Sequence, residues 1–562
     1  MRTAPCLGTL ARWSALSATV IAAASIDAGG QAPRFYPDDP VTHVEDTVDA
    51  AAVQHKSINL IYDEARNLFG HPGDPNMNRR AMSLNTIDEV PDSSWFTNRI
   101  ISDRPVTVAT VAAGLASEDG PAPGTWTVVA GKSDGVTPGF TVVDAADVRW
   151  FIKFDPPNWH EMASGAEVVV TKLFTALGYN VPQNYVTRLR RENLAIGTRS
   201  RITAEDGGER HLTQRDIDRL LRMAAQDRDG SYRVLASRQL EGRAIGPFLY
   251  EGTRPDDPND VVPHEHRREL RALRVFAAWT NHVDSKAINS LDTVITHNGR
   301  SIVRHHLIDF GSTLGSASIK PREYDEGHHY IVDFRPTALG ALSLGLYVPK
   351  FHRIDYPDFS SVGYFSAEGF DPPRWKPRVP NPAFRHARPD DTFWAARRVM
   401  AFTDEMIRAV VRTGQYSDPG AERHIADTLI ARRDAIGRAW LTHVNPITDP
   451  VLAGGVLTFV NAAVAAGVAR APESYEATWF IFDNTTHAAR PFGDPVRSSG
   501  PRLNAPAALP TGDGSIVRVD IAAVNPPHPS WRTPVQAYFR YGGQGWTLVG
   551  FERLPEATPA VR

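Results

Sequence analysis

The chain is short of cysteine, short of net charge and, beyond its first thirty residues, short of any long apolar run. Cys6 is the one cysteine among 562 residues, which excludes an internal disulfide, a cysteine-ligated zinc and a catalytic thiol from everything after it. Against 61 Lys and Arg stand 64 Asp and Glu, a formal net charge of −3. No global basic field therefore points to nucleic acid or to an anionic membrane surface, and partners must be argued locally. No later stretch approaches the roughly 18 continuous apolar residues that a membrane-spanning helix needs. No internal repeat of fixed period is visible.

What is present begins with "MRTAPCLGTLARWSALSATVIAAASIDAGGQA". Arg2 and Arg12 precede an apolar run from Trp13 to Ala24, and small residues follow, the three-part pattern of a secretory signal. The pattern predicts a signal peptide over residues 1–28, export to the periplasm or outside the cell, and no membrane span after cleavage. Cys6 lies ahead of the apolar run, where a lipid-attachment cysteine would not be placed.

At 562 residues the chain is longer than one ordinary domain. Residues 29–120 read as an N-terminal extension, with a helix predicted over 51–70, closed by Gly70, and a loop at "DEVPDSSWF". "TWTVVAG", "GFTVVDA" and "VRWFIKF" are β-branched and aromatic runs separated by Gly, Asp and Pro, which predicts three successive antiparallel strands. In "SGAEVVVTKLFTALGYNVP" the residues Ala166, Val170, Leu173, Phe174 and Leu177 recur at helical spacing. Two further strands, "NYVTRL" and "YRVLASRQL", bracket a charged insertion with a short helix. Helices are predicted at "HEHRRELRALRVFAAWTNHV" and across 391–443, and beyond about 446 short strands return, ending in a hairpin at "PVQAYFRYGGQGWTLVGFE".

The segment "NHVDSKAINSL" carries the chemistry. It sets His282, Asp284, Lys286 and Asn289 at H-x-D-x-K-x-x-N spacing, and "LIDFGS" places Asp309 20 residues beyond Asn289. Phosphoryl transfer asks a protein for a cation on the phosphates, oxygen ligands for a divalent metal, and a carboxylate at the attacking hydroxyl. Asp284 suits the last role, and Asn289 and Asp309 suit the metal. Lys153, in "FIKF", shares a strand face with Phe151 and is the candidate phosphate cation. Glu167 falls at the edge of the apolar stripe of the following helix and is the expected partner of Lys153, whereas Glu161 falls on its opposite, solvated side. "GKSDGVTPGF" supplies Gly131, Gly135 and Gly139, whose amides could approach a phosphate.

"HVDSKAIN" and "DFG" resemble the catalytic-loop and metal-binding motifs of the protein-kinase-like superfamily, H-R-D-x-K-x-x-N and D-F-G, with Val283 in place of the arginine. The surrounding "EVVVTKLFTALGYNVP" and "FAAWTNHVDSKAINSL" are more similar to its atypical branch of HipA-type, phosphoinositide-3/4-kinase-type and secreted CotH-type enzymes. The resemblance covers roughly residues 121–445 and implies an α+β, two-lobed protein-kinase-like fold: an N-lobe over 121–245, a C-lobe over 246–445, and an appended β-rich C-terminal domain over 446–562. It implies ATP and Mg²⁺ as cofactors and an unidentified hydroxyl-bearing acceptor as partner. Lys153 then contacts the phosphates, Glu167 pairs with it, Asp284 and Lys286 are catalytic, and Asn289 and Asp309 hold the metal. Gln239, Leu240 and Glu241 form the hinge beside the base. The competing readings are a nucleotide-binding pseudokinase scaffold and a cell-surface binding protein. With Val283 in place of the arginine and no A-P-E closing the segment after Gly311, control through phosphorylation of that segment is not expected in the usual form.

Three other clusters read as structure. "EYDEGHHY" at 323–330 has metal-capable side chains but no third ligand set, and reads as a solvated segment. "RPDDPND" at 254–260 reads as a surface loop near the cleft. Trp479, Trp531, Tyr538, Phe539 and Trp546 read as a packed β core.

Overall fold

Residues 32–115 travel a long way over the protein before the first sheet begins. In the computed structural model the described residues are 32–102, 104, 106–115, 120–131, 137–203, 208–333, 342 and 350–555; the expected signal segment and Gly135 lie outside them. Phe35 starts this path wedged between Phe482 and Tyr538, at ring-centroid distances of 6.0 and 5.0 Å. Ala50 and Lys56 then donate backbone bonds to Ser301 and Ile245. Those tertiary bonds explain why the helix expected over 51–70 is only its second half. Backbone groups committed to another strand cannot also close helical turns. Helix α1 (Leu60–Ala65) begins where Asn59 caps it, its side-chain oxygen accepting from the Tyr62 amide at 3.0 Å, and a π turn carries the chain on to Gly70. "DEVPDSSWF" is a docking segment: Trp95 stacks on His305 at 3.5 Å, and Glu89 receives Arg397, Arg398 and the Trp394 indole. Helix α2 (Val108–Ala113) follows.

The first sheet contains the expected meander β1 (Trp126–Gly131), β2 (Gly139–Val143) and β3 (Arg149–Phe154), antiparallel throughout, with Gly139 opposite Lys153. Helix α3 (Met162–Leu177) and β4 (Asn184–Leu189) come next. An unanticipated hairpin of β5 (Leu194–Thr203) and β6 (Glu209–His211) precedes α4 (Gln214–Leu221) and β7 (Tyr232–Arg238). The sheet order is β4-β7-β3-β2-β1-β5-β6, with β5 parallel to β1. β5 escaped the sequence because "LAIGTRSRIT" is polar and carries a glycine in mid-strand. A Cβ at that Gly197 would stand 3.1 Å from the Val128 carbonyl.

Period-two alternation gives this sheet two characters. Trp126, Val128, Phe140, Val142, Trp150, Ile152 and Phe154 close a dry core with Ile217 and Leu221 of α4. Thr127, Val129, Thr141, Phe151 and Lys153 point the other way. Helix α3 is buried at every residue except Lys172, far more than a surface amphipathic helix.

The second half pairs β8 (Arg243–Gly246) with a hairpin. Helix α5 (Arg268–Thr280) ends in the 281–289 loop, and β9 (Ser290–His297) and β10 (Arg300–Leu307) complete a three-stranded sheet in the order β10-β9-β8. Helices at Pro389–Met400 and Pro419–Ile436 pack against α5, and one at Asp404–Arg412 packs against α2 and α3. The C-terminal strands form two antiparallel sheets, including the expected hairpin of Val535–Tyr541 and Trp546–Glu552. One apolar core runs from α3 and α5 through those helices to Trp479, Trp531 and Phe551, so the helix-to-strand change near 445 does not interrupt packing. The architecture is mixed α+β with added C-terminal sheets.

"RPDDPND" is corrected by the structure. Arg254, Asp257 and Asp260 are buried; Arg254 reaches Asp292 at 3.2 Å, and Asp260 is bonded to His264 and Arg267. Charge in a turn reads as solvated from sequence, but here Arg254 and Asp260 are buried with ion partners, and Asp257 accepts from the Asn259 amide.

Candidate functional site

Lys153 reaches the site because β3 alternation turns it away from the Trp150 and Ile152 core, onto the same face as its cross-strand partner Leu235. Its ammonium donates to Glu167 Oε2 at 3.0 Å and Oε1 at 3.1 Å, and to Asp309 Oδ1 at 2.7 Å. Burial works to lower the Lys153 pKa, but the two carboxylates outweigh it and hold the ammonium charged. Glu167 is buried on α3, while the Asp309 side chain is 48% exposed. Gly311 leaves space for this arrangement, since a Cβ there would stand 3.0 Å from Glu167 Oε2. The three residues line a narrow cleft together with Thr137, Asp155 and Ser318.

Glu161 is not solvated. It caps α3 in a left-handed conformation, is 4% exposed, and accepts from the Ser417 amide at 2.8 Å. Angular position on a helical wheel says nothing about a neighbouring segment that covers that side.

A second cluster forms in the 282–289 loop. Asn289 donates through Nδ2 to both the Asp284 carbonyl at 2.8 Å and Asp284 Oδ2 at 3.0 Å, and Lys286 Nζ lies 3.0 Å from Asp284 Oδ1. Burial would raise the Asp284 pKa, but the Lys286 ammonium and the Arg322 guanidinium hold it below the usual carboxylate range. The carboxylate is therefore ionised at neutral pH and able to accept a proton. With Nδ2 engaged, what Asn289 has to offer a cation is its carbonyl oxygen, a hard ligand suited to Mg²⁺.

The two clusters are fastened together. The Ile308 amide donates to the Asn289 carbonyl at 3.0 Å, one residue before Asp309. Asp309 is left-handed, with φ of 64°, and the next residue, Phe310, turns inward. Its ring meets Phe174 of α3 at 4.8 Å and His282 at 5.5 Å. Burial in that apolar setting pushes the His282 imidazole down to about 4, so it is neutral. α3, the 282–289 loop and the Asp309 turn thus share one packed contact.

The remaining candidates are placed differently. Gly131 ends β1, and a Cβ there would meet Ile202 Cγ1 at 2.7 Å, so strand packing accounts for the glycine. Gln239, Leu240 and Glu241 link β7 to β8; the Gln239 amide donates to the Arg149 carbonyl at 3.1 Å, and the Glu241 side chain is 73% exposed. Gln239 lines an open basin with Val129, Thr141 and Phe151, on the same sheet face as Lys153.

Two participants carry no sequence signal. Glu64 of α1 bonds Lys286 Nζ at 2.8 Å across 222 residues of chain, and Arg322 lies close enough to Asp284 to act on its charge. Neither belongs to a spaced pattern. Among the described residues no group of three or more His, Cys, Asp or Glu could hold a metal, "EYDEGHHY" included. Mg²⁺ commonly binds through one or two protein oxygens plus phosphates and water, which the Asn289 and Asp309 oxygens can supply.

No protein-family model and no curated protein matches the chain. Among solved structures it is similar to a crystal structure of the Golgi casein kinase, at 11% sequence identity and a TM-score of 0.27 over 71% of this chain and 96% of that chain. It is also similar to that kinase with Mn/ADP bound, at 12% identity and a TM-score of 0.28 over 73% and 98% of the two chains. At those TM-scores the likeness carries no argument for this chain.

Proposed function

We propose that the protein is a protein-kinase-like phosphotransferase that moves the γ-phosphoryl group of ATP to a hydroxyl acceptor with Mg²⁺. The observation that carries this is the double engagement of Lys153, from β3, by Glu167 of α3 and by Asp309, with Asp284 and Asn289 bonded to each other one loop away. Lys153 offers its charge to the phosphates, Glu167 keeps it oriented, and Asp309 and Asn289 hold Mg²⁺, which when bound neutralises developing phosphate charge. Asp284 accepts the acceptor's hydroxyl proton. Lys286, tied to Glu64 and Asp284, brings its ammonium beside the Asp284 carboxylate. The Phe151, Val129 and Gln239 basin is on the correct face to take the base.

The test is incubation of the purified protein with labelled ATP and Mg²⁺. Autophosphorylation or acceptor labelling supports the enzyme. A nucleotide-dependent thermal shift without turnover would make it a pseudokinase, and neither would leave the surface-binding reading.

Export is part of the proposal, carried by the signal-like start; among the described residues no helix is long and apolar enough to cross a membrane. Outside the cytoplasm ATP is scarce, so the donor must be supplied locally or be another phosphoryl compound. Fusion of residues 1–35 to alkaline phosphatase checks the compartment: failure to export the reporter removes the periplasmic assignment and leaves the chemistry untouched.

A further inference from the structure

Val283 stands where the resembling kinases carry an arginine, the residue that in regulated members grips a phosphorylated segment after D-F-G. Without that arginine, something else must hold the segment against the loop that carries Asp284. The segment supplies both halves of the clamp itself. Glu326 Oε2 receives Arg322 Nη1 at 2.7 Å, and its Oε1 receives Arg378 Nη1 at 2.9 Å. The two ends of this carboxylate bridge are tied in opposite directions. Arg322 also donates through Nη2 to the Ser312 carbonyl at 3.0 Å and through its amide to Gly315, so it grips the turn that follows Asp309. Arg378 donates its amide to the Val283 carbonyl at 2.8 Å, so it grips the catalytic loop at the residue before Asp284.

The neighbouring residue adds a steric lock. Gly327 has φ of 94°, and a Cβ there would stand 2.7 Å from Asn281 Oδ1, which itself accepts from the Trp375 indole at 2.9 Å. Glu326 and Arg322 side chains are 12% and 5% exposed, so the pair is shielded from salt in a way surface pairs are not.

We propose that Glu326 is a positioning residue that does permanently what a phosphate does conditionally elsewhere: its carboxylate clamps Arg322 and Arg378 and thereby fixes the Asp309 turn against the Asp284 loop. The inference rests on the phosphotransferase reading for its consequence and on geometry alone for the clamp. A phosphate clamp can be removed by a phosphatase, and this one cannot. The protein is accordingly poised as synthesised, which suits an enzyme that leaves the cell and its regulatory kinases behind.

The experiment uses the full chain with Glu326→Gln, which keeps shape and loses charge, and Glu326→Asp, which keeps charge at a shorter reach. Hydrogen exchange without nucleotide reads the clamp: E326Q should speed exchange of the Leu314, Arg322 and Arg378 amides, and E326D should do so less. With ATP and Mg²⁺, E326Q should lower turnover by about 10- to 100-fold, the scale of a displaced catalytic group, while nucleotide affinity stays within twofold and E326D recovers most of the rate. Phosphatase-treated wild type should keep its rate. Unchanged exchange in E326Q overturns the clamp, and loss of activity on phosphatase treatment overturns its substitution for a phosphate. If wild type turns over no ATP, the phosphotransferase reading fails, and the exchange result still decides the clamp.

Discussion

Lys153 Nζ and Asp309 Oδ1 lie 2.7 Å apart although 156 residues separate them. This pair joins β3 to the turn after β10, and in the proposed function it joins the phosphate cation to a metal ligand. Asp309→Asn should remove the Mg²⁺ dependence of any nucleotide-induced thermal shift, and Lys153→Met should lower turnover by about 10²-fold or more, the usual cost of one charge-stabilising group. A Mg²⁺-dependent shift surviving in Asp309→Asn would take the metal away from this residue.

In the proposed phosphotransfer Asp284 is the residue that meets the acceptor, so its loss should separate chemistry from binding. Asp284→Asn is expected to reduce turnover by about 10²- to 10⁴-fold and leave nucleotide affinity within twofold. Steady-state kinetics beside nucleotide titration checks it. Equal, mild effects from Asp284→Asn and Asp309→Asn would mean the roles are misassigned.

Phe151 is 46% exposed, two residues before Lys153, in the basin that ends at Gln239. In the proposed function an aromatic face left open there stacks on the base, an interaction worth about 1–3 kcal/mol per base in other systems. Phe151→Ala should weaken ATP binding by about 5- to 100-fold and inorganic triphosphate binding hardly at all. Tighter ATP binding in the variant would show that the ring obstructs the base.

Two buried histidines make stability depend on pH. Burial pushes His282 down to about 4, and pushes His306 down to about 3, with Arg304 and His305 adding to it. Unfolded histidine takes its proton near 6.5. Between the two values the unfolded chain binds more protons, so their contribution is intact above about pH 6.5 and is lost on acidification. The loss runs down to about pH 4 for His282 and pH 3 for His306, at about 1.4 kcal/mol per pH unit for each. Denaturant midpoints at pH 7, 6 and 5 should fall accordingly, and His306→Gln should flatten the slope. An unchanged slope would acquit His306.

Sequence alone determined the elements whose signal is local. The β1 to β3 meander, the α3 stripe and the spacing of Asp284, Asn289 and Asp309 are periodicities or short intervals, and each element or loop lies where the pattern put it. Alternation along β3 was enough to put Lys153 on the face away from Trp150. The tertiary structure decided what depends on distant backbone and on burial. Half of the helix expected over 51–70 was given up to a bond with Ile245 and to Arg243 and Arg254 on its carbonyls, and polar β5 became a strand because β1 had an open edge. Glu161, solvated by its place on the helical wheel, is buried because the distant Ser417 amide satisfies it, and Asp260 is buried because the chain folds His264 and Arg267 back onto it. Glu64 on Lys286 and Arg378 on Glu326 follow no local spacing, and only Arg322 stands at a four-residue interval from its partner. An ion pair closed across a folded chain is set by where the core brings two backbones together, and that information exists only once the chain has folded.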